Sequence, residues 1–173
     1  TETANQLLKE VSFTVIRGNI SEIKTLVLGN GTTKGVDADL ADRVTKENLD
    51  EAAAFAKAFA GKKNAVVAIT GAIDIVADAG KAYRIYNGRP EMSSITGTGC
   101  QLSALTAAFV TANQEQPLEA AAAAVCAMGL AGETAYARLS ELDGNATYRN
   151  YIIDAIYRMN GEGLEGGAKF DPL

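Results

Sequence analysis

Apolar residues fall into two kinds of run along this chain, and the change comes near residue 98. Before it, compact β-branched stretches take turns with helical ones. "VSFTVIRG" (11–18) has the length of a buried strand, and "AVVAIT" (65–70) is apolar enough for a strand covered on both faces. "SEIKTLVLG" (21–29) predicts a short helix with Ser21 as N-cap and Gly29 near its end. "LDEAAAFAKAFAGKK" (49–63) predicts a longer one that gathers Leu49, Ala53, Phe55, Ala56 and Phe59 on one face and stops at Gly61. "IDIVAD" and "KAYRIYN", around Gly80, predict a hairpin at the edge of a sheet.

After residue 98 the pattern is helical. "GCQLSALTAAFVTAN" sets Leu102, Leu105, Phe109 and Ala112 on one stripe. "PLEAAAAAVCAMGLAGETAYARL" opens with Pro117 at an N1-like position, and its Ala and Gly content predicts close packing against a neighbour. "TYRNYIIDAIYRMN" repeats apolar groups at Tyr148, Ile152, Ala155, Ile156 and Met159. "GEGLEGGAKFDPL" is glycine-rich and reads as a loose tail.

Strands separated by helices imply an α/β fold with a largely parallel sheet and right-handed crossovers. Such sheets bind ligands beyond the carboxyl ends of their strands. Three candidate stretches fall at such places: "RGN" after the first strand, "TG" after "AVVAI", and "TGTGC" ahead of a helix.

Composition narrows the chemistry. The 173 residues are 47% hydrophobic, no signal peptide is visible, and no apolar run reaches the roughly 18 residues of a membrane span. A net charge of −5 argues against nucleic acid or an anionic membrane as partner. Two cysteines, Cys100 and Cys126, are too few for a disulfide framework and suggest a reducing, cytoplasmic setting. Histidine is absent, which removes Ser-His-Asp hydrolysis, Cys-His proteolysis and every His-ligated metal site.

In "SSITGTGCQLSALTAAF" (93–109), Gly97 and Gly99 can take positive φ and bring backbone close to a ligand. The helix behind them offers unpaired N–H groups and partial positive charge, together an anion site suited to a phosphoryl group. The plainer alternative is a capped helix start with flexible glycines. A thiol at a helix start has its thiolate favoured, so Cys100 is a candidate base or nucleophile as well as a small apolar filler. Cys126, inside the Ala-rich helix, reads as core.

The same stretch resembles the signature of the hydroxyethylthiazole kinase family, ribokinase-like enzymes of thiamine salvage. Ribokinase-like kinases use a Gly-x-Gly-Asp turn as an anion hole with the Asp as base, and the thiazole kinases carry Cys in its place. The resemblance implies Gly97, Thr98 and Gly99 as the anion hole, Cys100 beside the substrate hydroxyl, and Gly97 as a backbone contact to the thiazole. "VIRGNISEI" (15–23) resembles the family's "RGNxSEI", which implies Arg17 as an ATP contact. Asn19 and Glu22 would then hold Mg²⁺ and phosphate through water. "GVDA" (35–38) is another family stretch, and "AITGAIDIVAD" (68–78) resembles "VTGxxDxVxD", where Thr70 contacts the nucleotide.

The implied fold is a ribokinase-like α/β domain over 1–173, a central mostly parallel sheet flanked by helices on both faces. The implied activity is ATP- and Mg²⁺-dependent phosphorylation of 4-methyl-5-(2-hydroxyethyl)thiazole, in a homotrimer with active sites between subunits. Phosphoryl transfer rests on alignment and charge neutralisation, so a cysteine suffices as a base. Two departures stand out. "GNATYR" (144–149) replaces a Gly-Pro-Gly-type turn, and the family's amino-terminal third, with its "DPVG" stretch, is missing. The chain is therefore expected to be a carboxy-terminal segment or a truncated form. The alternatives are a non-catalytic nucleotide-binding module, and a related kinase of pyrimidine or pyridoxal alcohols. Structural roles compete at each residue: Arg17 as a surface ion pair, Glu22 as a helix-dipole acid, Asn19 as a turn former, Thr70 as a strand-end cap. Asp74 and Asp78 read as hairpin and turn residues, and Lys62 with Lys63 as a solvated helix end.

Overall fold

The apolar run at 65–70 becomes strand β2 (Val66–Thr70), with four of its five residues buried. The computed structural model describes residues 2–28 and 44–173 and divides them into two units. Gly29 and the stretch 35–38 lie outside the described residues.

The first unit spans Thr1–Arg84 and Asp171–Leu173. Its sheet has the order β1-β2-β3-β4-β5, formed by β1 (Val15–Asn19), β2, β3 (Asp74–Ala77), β4 (Ala82–Ile85) and β5 (Phe170–Pro172). β1 runs parallel to β2, with Arg17 opposite Ala68 and Asn19 opposite Thr70. β3 runs antiparallel to β2, with Ile69 opposite Ile75. The α/β architecture is thus present with a mixed sheet, and the expected hairpin is there, its second strand covered in turn by β5. The first strand is shorter than the apolar run, since only Val15–Asn19 is extended. Residues 11–13 instead follow helix α1 (Glu2–Glu10), whose end continues into a bond from Val11 N–H to the Leu7 carbonyl.

Helix α2 (Ile20–Leu28) starts two residues earlier than Ser21 as N-cap would set it. Asn19 and Glu22 do the capping, a reciprocal pair described below. Gly18 is needed where the chain turns into this helix, because a Cβ there would sit 2.9 Å from Glu22 Oε2 and 3.3 Å from Ile23 Cδ1. Helix α3 (Leu49–Lys63) buries Leu49, Ala53, Phe55, Ala56 and Phe59 as its pattern predicts, against β2 and β3. It does not stop at Gly61. Asn64 takes the left-handed conformation (φ 50°, ψ 48°), donating its N–H to the Ala60 carbonyl, and ends the helix three residues later.

The second unit, Ile85–Phe170, is helical: α4 (Thr98–Ala112), α5 (Pro117–Tyr136), α6 (Asn145–Arg158) and α7 (Gly161–Gly167). α5 packs against α4, α6 and α7. Its small residues are required, since a Cβ on Gly129 would lie 2.6 Å from the backbone carbon of Asn87. Cys126 is buried there, as expected. α5 is also the described helix long and apolar enough to cross a membrane, and 72% of its most apolar window is buried within the protein. The α4 stripe differs from expectation: Leu102, Thr106 and Val110 are buried, Leu105 and Phe109 half-buried, and Ala112 exposed. Burial still follows one face at spacing four, with positions 103, 104, 107 and 108 exposed, so the stripe is turned slightly from the expected one rather than absent.

The carboxy-terminal stretch is no loose tail. Asn160 Oδ1 accepts from Gly163 N–H at 2.8 Å and starts α7. Glu133 on α5 accepts from Gly88 N–H (2.9 Å) and Asn87 Nδ2 (3.2 Å) through Oε1, and from Lys169 Nζ (2.6 Å) through Oε2. Tyr86 N–H donates to the Lys169 carbonyl (2.8 Å), so the two ends of this unit run side by side.

Candidate active site

In the first unit, strand register decides which side chains meet. Alternation along β1 points Arg17 and Asn19 to one face and Ile16 and Gly18 to the other. Paired residues share a face, so Ala68 and Thr70 of β2 lie with Arg17 and Asn19. Carried one step past Ile69–Ile75, the antiparallel register sets Thr70 opposite Asp74. Arg17 leans along its strand toward this end, and its Nη1 donates to Thr70 Oγ1 over a long 3.4 Å. Thr70 in turn donates to the Gly18 carbonyl at 3.5 Å. Asp74 Oδ1 accepts from Gly71 N–H at 2.8 Å, closing the turn that follows Thr70. Burial pushes the Asp74 carboxyl up to about 7, against the downward pull of that N–H and of the Arg17 charge. Asp74 thus fills the hairpin and turn role expected of it, with a carboxyl that burial raises. Asp78 is a turn residue too: its Oδ1 accepts from Gly80 and Lys81 N–H, each at 2.7 Å.

Asn19 and Glu22 meet as a capping box. Asn19 Oδ1 accepts from Glu22 N–H and Glu22 Oε2 from Asn19 N–H, each at 2.8 Å. The structural role weighed for both residues is therefore real, and it bears on Mg²⁺. Both side chains are exposed, and the cap engages one oxygen of the Glu22 carboxylate. Mg²⁺ keeps several waters and takes few protein ligands, so a half-committed carboxylate with an amide oxygen beside it suits a water-mediated holder. Among the described residues no group of three or more Asp, Glu, Cys or His is placed to bind a metal directly.

In the second unit, a short 3₁₀ turn (Pro90–Ser94) leads through buried Ile95 to the helix start of α4. Gly97 is its N-cap with φ +96°, a conformation that disfavours any residue with a Cβ. Space is not the reason, since a Cβ at Gly97 would meet nothing within 4 Å. No side chain caps this helix, and Gln101 N–H makes the bond back to the Gly97 carbonyl (2.9 Å). The N–H groups of Thr98, Gly99 and Cys100 precede that ladder and are left for an outside acceptor. Gly97 and Cys100 are exposed, and Thr98 and Gly99 are half-buried. Gly99 is helical and has no positive φ, so of the two glycines only Gly97 is conformationally demanded. A cleft of about 530 Å³ elsewhere in this unit, lined by Leu130, Arg138, Ala155 and Met159 among others, holds none of these residues.

An uncapped, open helix start behind a positive-φ glycine is suited to binding an anion, and the sequence around it matches a family model, "Hydroxyethylthiazole kinase family", over residues 1–162. The chain belongs to the hydroxyethylthiazole kinase family. It is 59% identical over 170 residues to a hydroxyethylthiazole kinase of Clostridium acetobutylicum, covering 98% of this chain and 62% of that protein. A hydroxyethylthiazole kinase of Ruminiclostridium cellulolyticum is 40% identical, over 92% of this chain and 56% of that protein. The structure of a hydroxyethylthiazole kinase protein from Pyrococcus horikoshii OT3 superposes with a TM-score of 0.79 at 30% identity, over 100% of this chain and 61% of that one. The chain thus spans about three-fifths of the length of these relatives.

Of the residues singled out in the sequence, Arg17 reaches Thr70, Asn19 reaches Glu22, and Gly97 to Cys100 form one continuous turn. Asp74, read from the sequence as a hairpin and turn residue, closes the three-residue turn after Thr70 and faces Thr70 across the hairpin.

Proposed function

We propose that this chain carries the phosphoryl-transfer machinery of an enzyme that uses ATP to phosphorylate the hydroxyethyl group of 4-methyl-5-(2-hydroxyethyl)thiazole. The observation that carries the proposal is the turn at Gly97, whose positive φ opens the uncapped start of α4 toward solvent. Thr98, Gly99 and Cys100 would donate N–H bonds to the oxygens of the transferring group, where charge is spread in the transition state. The Cys100 side chain, exposed at the same helix start, would take the hydroxyl proton late in the transfer. The Gly97 backbone would contact the thiazole.

Arg17 and Thr70 would bind the nucleotide, the guanidinium against phosphate and the hydroxyl as a second contact. Asn19 and Glu22 would hold Mg²⁺ through water, and a bound ion would neutralise charge on the phosphate oxygens. The family points further to a cytoplasmic homotrimer with sites between subunits, checked by mass in solution. The direct test is thiazole-alcohol-dependent ADP release by the native polypeptide, with Gly97→Ala as control. The expected result is ADP release that needs the alcohol and falls at least a hundredfold in the variant. Nucleotide binding with no coupling to the alcohol would refute the kinase and support a binding module.

A further inference from the structure

We propose that the cleft of about 530 Å³ in the helical unit binds a small aromatic anion, a ring carrying a carboxylate or a phosphomonoester. Its lining belongs to that unit alone. α5 supplies Leu130 and Thr134, α6 supplies Ala155 and Arg158, and Arg138 and Met159 follow close on the ends of these helices. Two features set its chemistry. The first is an apolar floor: Ala155 is buried and Leu130 and Met159 are half-buried, so a flat apolar body gains by covering them. The volume is that of a small-ligand site, which runs from roughly 300 to 1,000 Å³.

The second is a pair of guanidiniums with uncommitted N–H donors. Arg138 lies over the Tyr151 ring, 4.1 Å from its centroid, which fixes the plane of the guanidinium and leaves its edge open. Its approach to Asp154 is 3.9 Å, an ion pair but too long for a hydrogen bond. Arg158, in the last turn of α6, has neither a hydrogen bond nor an ion pair among the described residues. Asp154 stands one turn before Arg158 and sets one negative charge against two positive ones. Glu162 and Glu165 of α7 are exposed and do not line the cleft. The cleft is thus locally positive in a chain of net charge −5. Planar forks of N–H groups beside an apolar floor select oxyanions joined to an apolar body. A neutral ring would leave the donors unused, and inorganic phosphate would leave the floor uncovered.

The test is a titration of the native polypeptide, labelled at its methionine methyls, with phenyl phosphate and with benzoate. It is read by NMR at the Met159 methyl, which Met159→Leu assigns. At least one of the two anions should shift that resonance to saturation with a Kd of about 0.1–2 mM at low salt, and the tighter names the headgroup. Benzyl alcohol and inorganic phosphate should each bind at least about tenfold more weakly. Arg158→Gln should weaken the anion about three- to tenfold, and adding Arg138→Gln should weaken it further. Arg158 is exposed at a helix end, so its variant decides the matter even if loss of the Arg138–Tyr151 stacking disturbs folding. Three results overturn the proposal: no saturable shift with either anion up to about 10 mM, equal binding of benzyl alcohol, or an affinity untouched by Arg158→Gln. A shift lost in Gly97→Ala would assign the anion to the start of α4 and overturn it as well. No turnover enters the readout, so the result stands apart from the kinase reading.

Discussion

Replacing Asp74 by Asn should make the protein more stable, by an amount that grows with pH. The carboxyl titrates near 3.8 in an unfolded chain and at about 7 in the fold. Between those values the folded state binds more protons than the unfolded one, so folding stability falls as pH rises through the window and levels off above about pH 8. At 1.36 kcal/mol per pH unit the full span is about 4 kcal/mol, and the part of Asp74 still open to water brings the expected figure to about 2–4 kcal/mol. Asparagine keeps the acceptor for Gly71 N–H at the same geometry and has no such dependence. Every other group titrates alike in both proteins and cancels. Calorimetric melting of the native polypeptide and of Asp74→Asn at pH 4 and pH 8 measures the difference. The variant's advantage should be small at pH 4 and roughly 4–15 °C at pH 8. An advantage equal at both pH values, or larger at pH 4, would show that Asp74 is not a desolvated carboxyl at all.

Other outcomes follow from single positions. Gly97→Ala should cost about 1–2 kcal/mol of stability from backbone strain alone, since its methyl meets open space; a urea melt checks this. Gly129→Ala should cost more than about 2 kcal/mol, because its methyl would meet the immovable backbone of Asn87, and a thermal melt with no loss would refute the packing. Tyr148→Phe removes the donor to the Gly132 carbonyl (3.0 Å, buried) and should cost about 1 kcal/mol in a denaturant melt, without the cavity of a larger truncation. Cys100→Ala should lower kcat about 10–100-fold while leaving Mg-ATP affinity within about twofold, because only the proton acceptor is lost; an unchanged kcat would remove Cys100 from the chemistry.

How much of this was legible depended on how many competing signals each residue faced. β2 and α3 were plain because their apolar residues exceed what any other arrangement could hide. At the start of α2, two cap candidates lay two residues apart, and Ser21 lost to Asn19 because Glu22, three residues on, can reach back to complete a reciprocal cap. Asn64 was overlooked as the end of α3 because Gly61 is the commoner stop signal, yet a glycine within a helix is merely costly and does not end it. The stretch after Asn160 looked loose from its glycines. One of them, Gly167, is small because Leu130 Cδ2 would lie 2.5 Å from a Cβ there, a long-range packing fact that no local pattern displays. At the candidate site, the Gly97 turn and the Arg17–Thr70 pair were readable as motifs. The raised carboxyl of Asp74 was not, because its burial depends on what packs around the hairpin.

One feature of the sheet bears on how this protein is made. Strand β4 ends at residue 85 and β5 begins at residue 170, so a ribosome adds some eighty further residues before the neighbour of β4 emerges. Throughout that interval the nascent sheet shows an unsatisfied rim of amides and carbonyls, open to mispairing with other chains. The Tyr86–Lys169 and Leu173–Ala82 bonds form only once β5 has emerged, and that late closure is where aggregation during synthesis would strike.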